Sequence, residues 1–283
     1  MTLAKLLLTA TVAALAGCAG VPQYLAQPPA HDAVYRLGRS APLEFETGST
    51  VFLDDAHRLR FVQNFGGGGA GVGAMFGPLG VLANAAAIKS TTKEDSALLR
   101  DKLGIDVLRE FEAAALAAGF RADASAEDAP LAAPYLELVR IDDQRFALGA
   151  VLVVELGASH GNWRGAYNLQ LDTLLTRADV AAPLDAARRE ALATELRQAY
   201  ASVIALARAD ANASLPAGGE EVTLESSYLM PRFVFELPAR RLETRDGRVL
   251  LRTGYSVVSL PVDRVKIKVK PQRAAGKPAP ASR

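Results

Sequence analysis

The sequence predicts an α+β domain: an antiparallel sheet with two main helices on one face, plus a C-terminal β-hairpin extension. Three features carry the prediction. Residues 163–175 alternate, with Trp163, Tyr167, Leu169, Leu171, Thr173 and Leu175 on one face and Arg164, Asn168, Gln170 and Asp172 on the other, the period of a half-exposed strand. Phe146 to Leu156 is almost wholly apolar, which suits a central strand covered on both sides. Segments of helical period flank these strands, one before and one after, and that order puts helices on one face of an antiparallel sheet.

The chain opens differently. Lys5 precedes an apolar run from Leu6 to Leu15 broken only by Thr9 and Thr11, and small residues follow. A positive start, a short apolar stretch and a small-residue exit make a secretory signal over residues 1–17, too short to remain as a membrane span. Leu15-Ala16-Gly17-Cys18 resembles the lipobox of bacterial lipoproteins. The resemblance implies cleavage before Cys18, acylation of that cysteine and a mature chain of residues 18–283 held to a membrane by its first residue. Each buried methylene contributes ~0.8 kcal/mol, so several acyl chains on one residue make a durable anchor. In that class an aspartate after the cysteine favours retention at the inner membrane. Ala19 stands there instead, which implies the outer membrane, facing the periplasm.

Composition narrows the partners. Half of the 283 residues are hydrophobic and 22% are charged, an ordinary globular balance with material for a sizeable core. There are 32 Lys and Arg against 31 Asp and Glu, and removal of Lys5 with the signal leaves the two in balance. A neutral chain has no general attraction to nucleic acid. The single cysteine is Cys18, so once it is acylated no thiol remains for a disulfide, a metal or a nucleophile.

Residues 18–40 read as a tether, with Pro22, Pro28 and Pro29 among small polar residues. Residues 41–64 form an N-terminal strand region in which Leu43 to Leu53 is a strand pair or one bent strand, with Gly48-Ser49 as the turn. Residues 65–90 are rich in glycine and alanine, and no charged residue occurs between Arg60 and Lys89. Gly69, Gly73 and Gly77 are spaced four apart, so on a helix they would bare one face for close approach of another backbone. The spacing resembles the glycine-zipper segments of some outer-membrane lipoproteins and pore-associated proteins, which implies membrane or oligomer contact at these three glycines. A fully helical span from Phe65 to Ile88 would measure ~36 Å, although glycine costs ~1 kcal/mol per residue in a helix and Pro78 interrupts it. The alternative is a glycine loop followed by a small-residue helix, Leu79 to Ile88, packed on the domain.

An α+β domain over residues 91–216 follows. Thr91 and Glu94 form a capping box, Leu98, Ile105, Leu108, Phe111 and Ala115 recur at helical spacing, and Gly119 ends the helix. Strands are expected over Tyr135–Ile141, Phe146–Leu156 and Trp163–Leu175, with turns at Asp142-Asp143 and His160-Gly161-Asn162. Pro183 and Asp185 start a long helix with an inner stripe of Leu192, Leu196, Ala199, Val203 and Leu206. Its layout resembles auxiliary lipoproteins of envelope ABC-type transporters in architecture alone. Residues 217–270 form the C-terminal hairpin region, with Asp246-Gly247 as its turn, and Val265, Ile267 and Val269 alternate with lysines as a protected edge strand does. Residues 271–283 read as a disordered basic tail.

Chemistry is sparse. His31, His57 and His160 are the only histidines. Asp54-Asp55-Ala56-His57 offers oxygens and an imidazole, but nothing nearby completes a metal site, and no metal is expected. No nucleophile elbow, zinc-protease helix or phosphate loop occurs, and Gly71-Val72-Gly73 lacks the third glycine of a dinucleotide fingerprint. No catalytic residues and no cofactor are expected. The chain reads as a non-enzymatic accessory or scaffold lipoprotein with an envelope protein partner. The alternative is an oligomeric transport or pore-associated component that self-associates or enters the membrane through its glycine segment.

Overall fold

The computed structural model describes residues 24–30, 34–39, 50–63, 90–122, 129–216, 218–231 and 236–269. In chain order these form β1 (Val34–Leu37), β2 (Thr50–Phe52), β3 (Leu59–Val62), α1 (residues 90–99), α2 (Val107–Ala117), β4 (Arg121–Ala122), β5 (Leu131–Arg140), β6 (Arg145–Glu155), β7 (Arg164–Thr176), α3 (Ala186–Ala211), β8 (Glu220–Glu225), β9 (Leu237–Arg245), β10 (Arg248–Arg252), β11 (Ser256–Pro261) and β12 (Lys266–Val269). The expected meander is present: β5, β6 and β7 pair antiparallel in sequence. Asp142 closes the first turn by accepting from the backbone N–H groups of Gln144 and Arg145 at 2.9 and 2.8 Å. Gly161 and Asn162 take positive φ in the second.

The sheet is mixed and largely antiparallel, not purely antiparallel as expected. β1 and β3 both pair with β5 in parallel, and β11 joins β7 in parallel. Its order is β12-β8-β9-β10-β11-β7-β6-β5, so the C-terminal region is five strands of the same sheet. Asp246 and Gly247, with φ of 52° and 70°, make the tight turn between β9 and β10. Among the described residues the lysine-bearing strand, β12, pairs only with β8 and forms an edge.

Three described helices pack on one face. Leu103, Val107 and Phe111, with Leu196, Tyr200, Val203 and Ile204 of α3, enclose Leu136, Leu138, Leu148, Leu152, Tyr167 and Leu171. The single helix expected across residues 91–119 is two. Gly104, with φ of 59°, breaks the run, and Asp106 caps α2 by accepting from the Arg109 N–H at 3.0 Å. Asp185 caps α3 in the same way.

The second face has its own core, in which Val139 and Ala147 join Val222, Leu224, Ala239, Val249, Leu251, Val258 and Leu260. Tyr228 explains how it is covered. It lies three residues beyond β8, and its ring sits over Gly149 of β6, five strands away in the sheet order. A flat sheet would place β8 ~24 Å from β6 at ~4.8 Å per strand, beyond that reach, so the sheet curls on itself. This overturns the expected half-exposed β7. Asn168 and Gln170, read as solvent-facing from their polarity, are buried. The Tyr228 hydroxyl lies 2.8 Å from Asn168 Oδ1 and 3.0 Å from Glu137 Oε2, and Glu137 also receives the Arg60 guanidinium.

A bulge lets β7 serve both cores. Ala147 opposes Leu174 and Gly149 opposes Gln170, so three residues of β7 face Leu148 alone. The ladder's lost partners are replaced by side chains. Glu195 of α3 accepts from the N–H groups of Asp172 and Thr173, and Arg264 donates to the carbonyls of Leu171 and Asp172. Leu171 can therefore point into the helix layer while Leu174 points into the other core.

The stretch expected as a tether, residues 18–40, is in part bound to the domain. Tyr24–Ala30 runs as an extended strap across the body, and β1 enters the sheet. Among the described residues no helix is long and apolar enough to cross a membrane.

Candidate functional site

Where β5 ends and β6 begins, several elements enclose a cavity of about 220 Å³. Its floor is apolar: Phe61 from β3, Phe146 from β6, Leu99 from α1 and Val180 from the β7–α3 connection, all buried. Asp95, Leu98, Lys102, Arg140, Arg177 and Ala181 form its rim. Leu98 is 62% exposed, so an apolar side chain stands at the opening.

Local chemistry puts each rim residue in place. Past residue 99 the chain turns through Asp101, with φ of 61°, and swings Lys102 to the rim. The Lys102 carbonyl accepts from the Leu184 N–H at 2.8 Å, which ties this turn to the start of α3. Asp179 fixes the opposite side. It accepts from the Thr176 hydroxyl and N–H at 2.6 and 2.7 Å and from Arg188 at 2.6 Å. These bonds, the Thr176 hydroxyl foremost, hold the Asp179 carboxyl down at about 2.

The three cations of the rim are not equivalent. Arg140 is committed: its guanidinium donates to Asp95 at 2.7 Å, to Gln63 at 3.1 Å and to the Asp142 carbonyl at 3.3 Å. Lys102 and Arg177 pair with no carboxylate among the described residues. Lys102 Nζ reaches only the Ala181 carbonyl, at a long 3.5 Å. With Asp95 as the one acid, the rim carries a formal charge of +2. The arrangement can hold an apolar group while an ammonium and a guanidinium face whatever charge that group bears.

A larger hollow of about 770 Å³ lies between the C-terminal half of α3 and β9–β10. Its apolar wall is Leu169, Leu206, Leu215, Leu242 and Leu250. Its charges are of both signs, and Arg248 is already bonded to Asp172 at 2.8 Å.

The strap lies at the other end of the sheet from the cavity. Leu25 N–H donates to the Thr253 carbonyl at 2.7 Å, and Trp163 Nε1 donates to the Ala26 carbonyl at 2.9 Å. Arg252 donates to the Leu25 carbonyl at 3.3 Å, Gln27 Nε2 donates to the Asp210 carbonyl at 3.1 Å, and the Arg240 guanidinium lies over the Tyr24 ring. Most of these contacts grip the strap's backbone. Phe146 at the cavity and Glu155 at the strap end are nine residues apart along β6, ~30 Å at strand pitch. The strap thus lies at one end of the body and the basic cavity at the other.

The residues singled out from sequence fall elsewhere. Leu15, Ala16, Gly17 and Cys18 lie outside the described residues, as do Gly69, Gly73, Gly77 and His31. The flanks of the glycine segment are described. Gln63 donates to the Thr92 hydroxyl at 3.2 Å, both residues are buried, and Gln63 also accepts from Arg140, a cavity residue. His57 has φ of 56° and stacks on Phe52, while Asp54 accepts from the N–H groups of Arg58 and Leu59. Those roles are structural ones in a turn. His160 lies 2.9 Å from the Ser159 hydroxyl in an exposed loop. Among the described residues no three His, Cys, Asp or Glu side chains converge. Lys102, Arg140 and Arg177 were missed because they are distant in sequence, and only the fold brings them together. Comparison with protein-family models, with curated proteins and with solved structures gives no match.

Proposed function

We propose that this chain is an outer-membrane-anchored lipoprotein facing the periplasm, whose domain acts as a non-enzymatic accessory or scaffold component of an envelope complex. The observation that carries the reading is Leu15-Ala16-Gly17-Cys18 behind a short apolar run. The strap supports it. Tyr24 is bound six residues after Cys18, which allows ~20 Å of extended chain between an acylated cysteine and the body. An anchor of that length holds the strap end near the bilayer and turns the cavity end outward, toward a partner.

The test is metabolic labelling with radioactive palmitate in a Gram-negative host, followed by separation of inner and outer membranes. The wild-type chain is expected to take up label and sediment with the outer membrane, while Cys18→Ala takes up none and leaves that fraction. An unlabelled wild-type chain recovered in the soluble periplasmic fraction overturns the reading.

A further inference from the structure

The cavity between α1, β3, β5, β6 and the β7–α3 connection differs from the large groove beside α3 in how its chemistry is divided. Phe61, Leu99, Phe146 and Val180 give it an apolar interior. The exposed Leu98 extends that apolar surface to the mouth. Lys102 and Arg177 stand at the rim, and the only acid there, Asp95, is already neutralised by Arg140 at 2.7 Å. The large groove beside α3 has no such separation, since Glu243 and Asp246 line it together with Arg245 and Arg248.

We propose that this cavity is a binding site for an anionic amphiphile with a single hydrocarbon chain. Its chain would lie on the phenylalanines and its head group between Lys102 and Arg177. Each half of the site selects one half of the ligand. A neutral apolar chain gains burial but leaves two cations unanswered, and a small anion without a chain would pair with exposed cations, an interaction that is weak in water. A cationic head would be repelled by the +2 rim. Carboxylate and phosphate heads share the required chemistry. The site concerns the folded body and does not depend on acylation of Cys18. It opens ~30 Å from the strap along β6, so it draws its ligand from the far side of the domain rather than from the bilayer holding the anchor.

The test is calorimetric titration of the complete mature chain, residues 18–283, made without acyl groups. The probes are decanoate, decyl phosphate, monodecanoylglycerol and decyltrimethylammonium, each below its micellar concentration. Decanoate or decyl phosphate is expected to saturate one site, and the tighter of the two identifies the head group. The neutral and cationic probes are expected to bind at least tenfold more weakly. The double variant Lys102→Gln, Arg177→Gln should weaken the anionic probe by about tenfold, the order of one charge-assisted contact pair, while changing the neutral probe by less than about twofold. Both residues are on the rim, so the unfolding midpoint should stay near that of wild type. Ala181→Trp, which fills the mouth from an exposed position, should abolish binding. Equal affinity for the neutral probe, wild-type affinity in both variants, or no saturable site for either anion overturns the proposal. Palmitate labelling of Cys18 is unaffected by any of these results.

Discussion

Asp210 receives both prongs of the Arg252 guanidinium, at 2.6 and 3.3 Å, with both side chains more than nine-tenths buried. The pair sits where α3, β10 and the strap meet. Tyr167 donates its hydroxyl to the same carboxylate at 3.1 Å, and Arg252 Nη1 also donates to the Leu25 carbonyl at 3.3 Å. Removing one charge from such a pair strands the other in a medium that solvates it poorly. Asp210→Asn is therefore expected to destabilise the domain by about 3–5 kcal/mol in urea unfolding. Removing both charges with Asp210→Leu, Arg252→Met should cost less than the single change. A single variant within 1 kcal/mol of wild type would show that water reaches the pair.

Gly149 supports the second buried network. A Cβ there would lie 1.7 Å from the Tyr228 hydroxyl oxygen and 2.6 Å from Cζ, so the ring itself and not only its hydroxyl is in the way. Gly149→Ala is expected to expel Tyr228, uncover the second core and cost about 3 kcal/mol or more. Tyr228→Phe removes only the hydroxyl between Glu137 and Asn168 and should cost about 1–2 kcal/mol. Burial raises the Tyr228 phenol well above its ordinary value, as it does for Tyr200. The native state therefore keeps these protons where the unfolded chain loses them. Stability should be full below pH 10 and fall as pH rises above it, with Tyr228→Phe falling less steeply than wild type.

What could be read from the sequence was local. The apolar run from Phe146 to Leu156 marks the central strand, Asp185 marks the start of α3, and Asp246-Gly247 marks a two-residue turn, because each depends on neighbours within a few positions. Joins between distant segments leave no such trace, so the parallel pairing of β3 with β5 and of β11 with β7 went unread. Polarity misled at Asn168 and Gln170. A polar face ordinarily means solvent, but here the sheet curls over it and Tyr228 supplies a partner for Asn168. Gly104 broke a helix whose apolar spacing survives the break, since Ile105 and Phe111 still reach the same core. The cavity is the extreme case. Lys102, Arg140 and Arg177 share no spacing, and only a fold that brings the end of α1 to the end of β7 makes them neighbours.

Asp179 should shape the acid limb of the stability curve. Its carboxyl is held at about 2, against an ordinary 3.8, chiefly by the Thr176 hydroxyl, then by the Thr176 N–H and Arg188. The native state thus resists protonation more than the unfolded chain does. Its contribution is fully present above the unfolded value and is lost as pH falls from about 4 to about 2. The site is close enough to water that screening leaves on the order of 1 kcal/mol. Asp179→Asn should therefore lower the urea midpoint at pH 6, with its difference from wild type shrinking between pH 4 and pH 2. Because Asp179 also holds the turn that presents Arg177 and Val180 to the cavity, the same variant should loosen one wall of the site. Hydrogen exchange at residues 176–181 is expected to quicken at neutral pH, and protection unchanged from wild type would show that this turn holds its shape without the carboxylate.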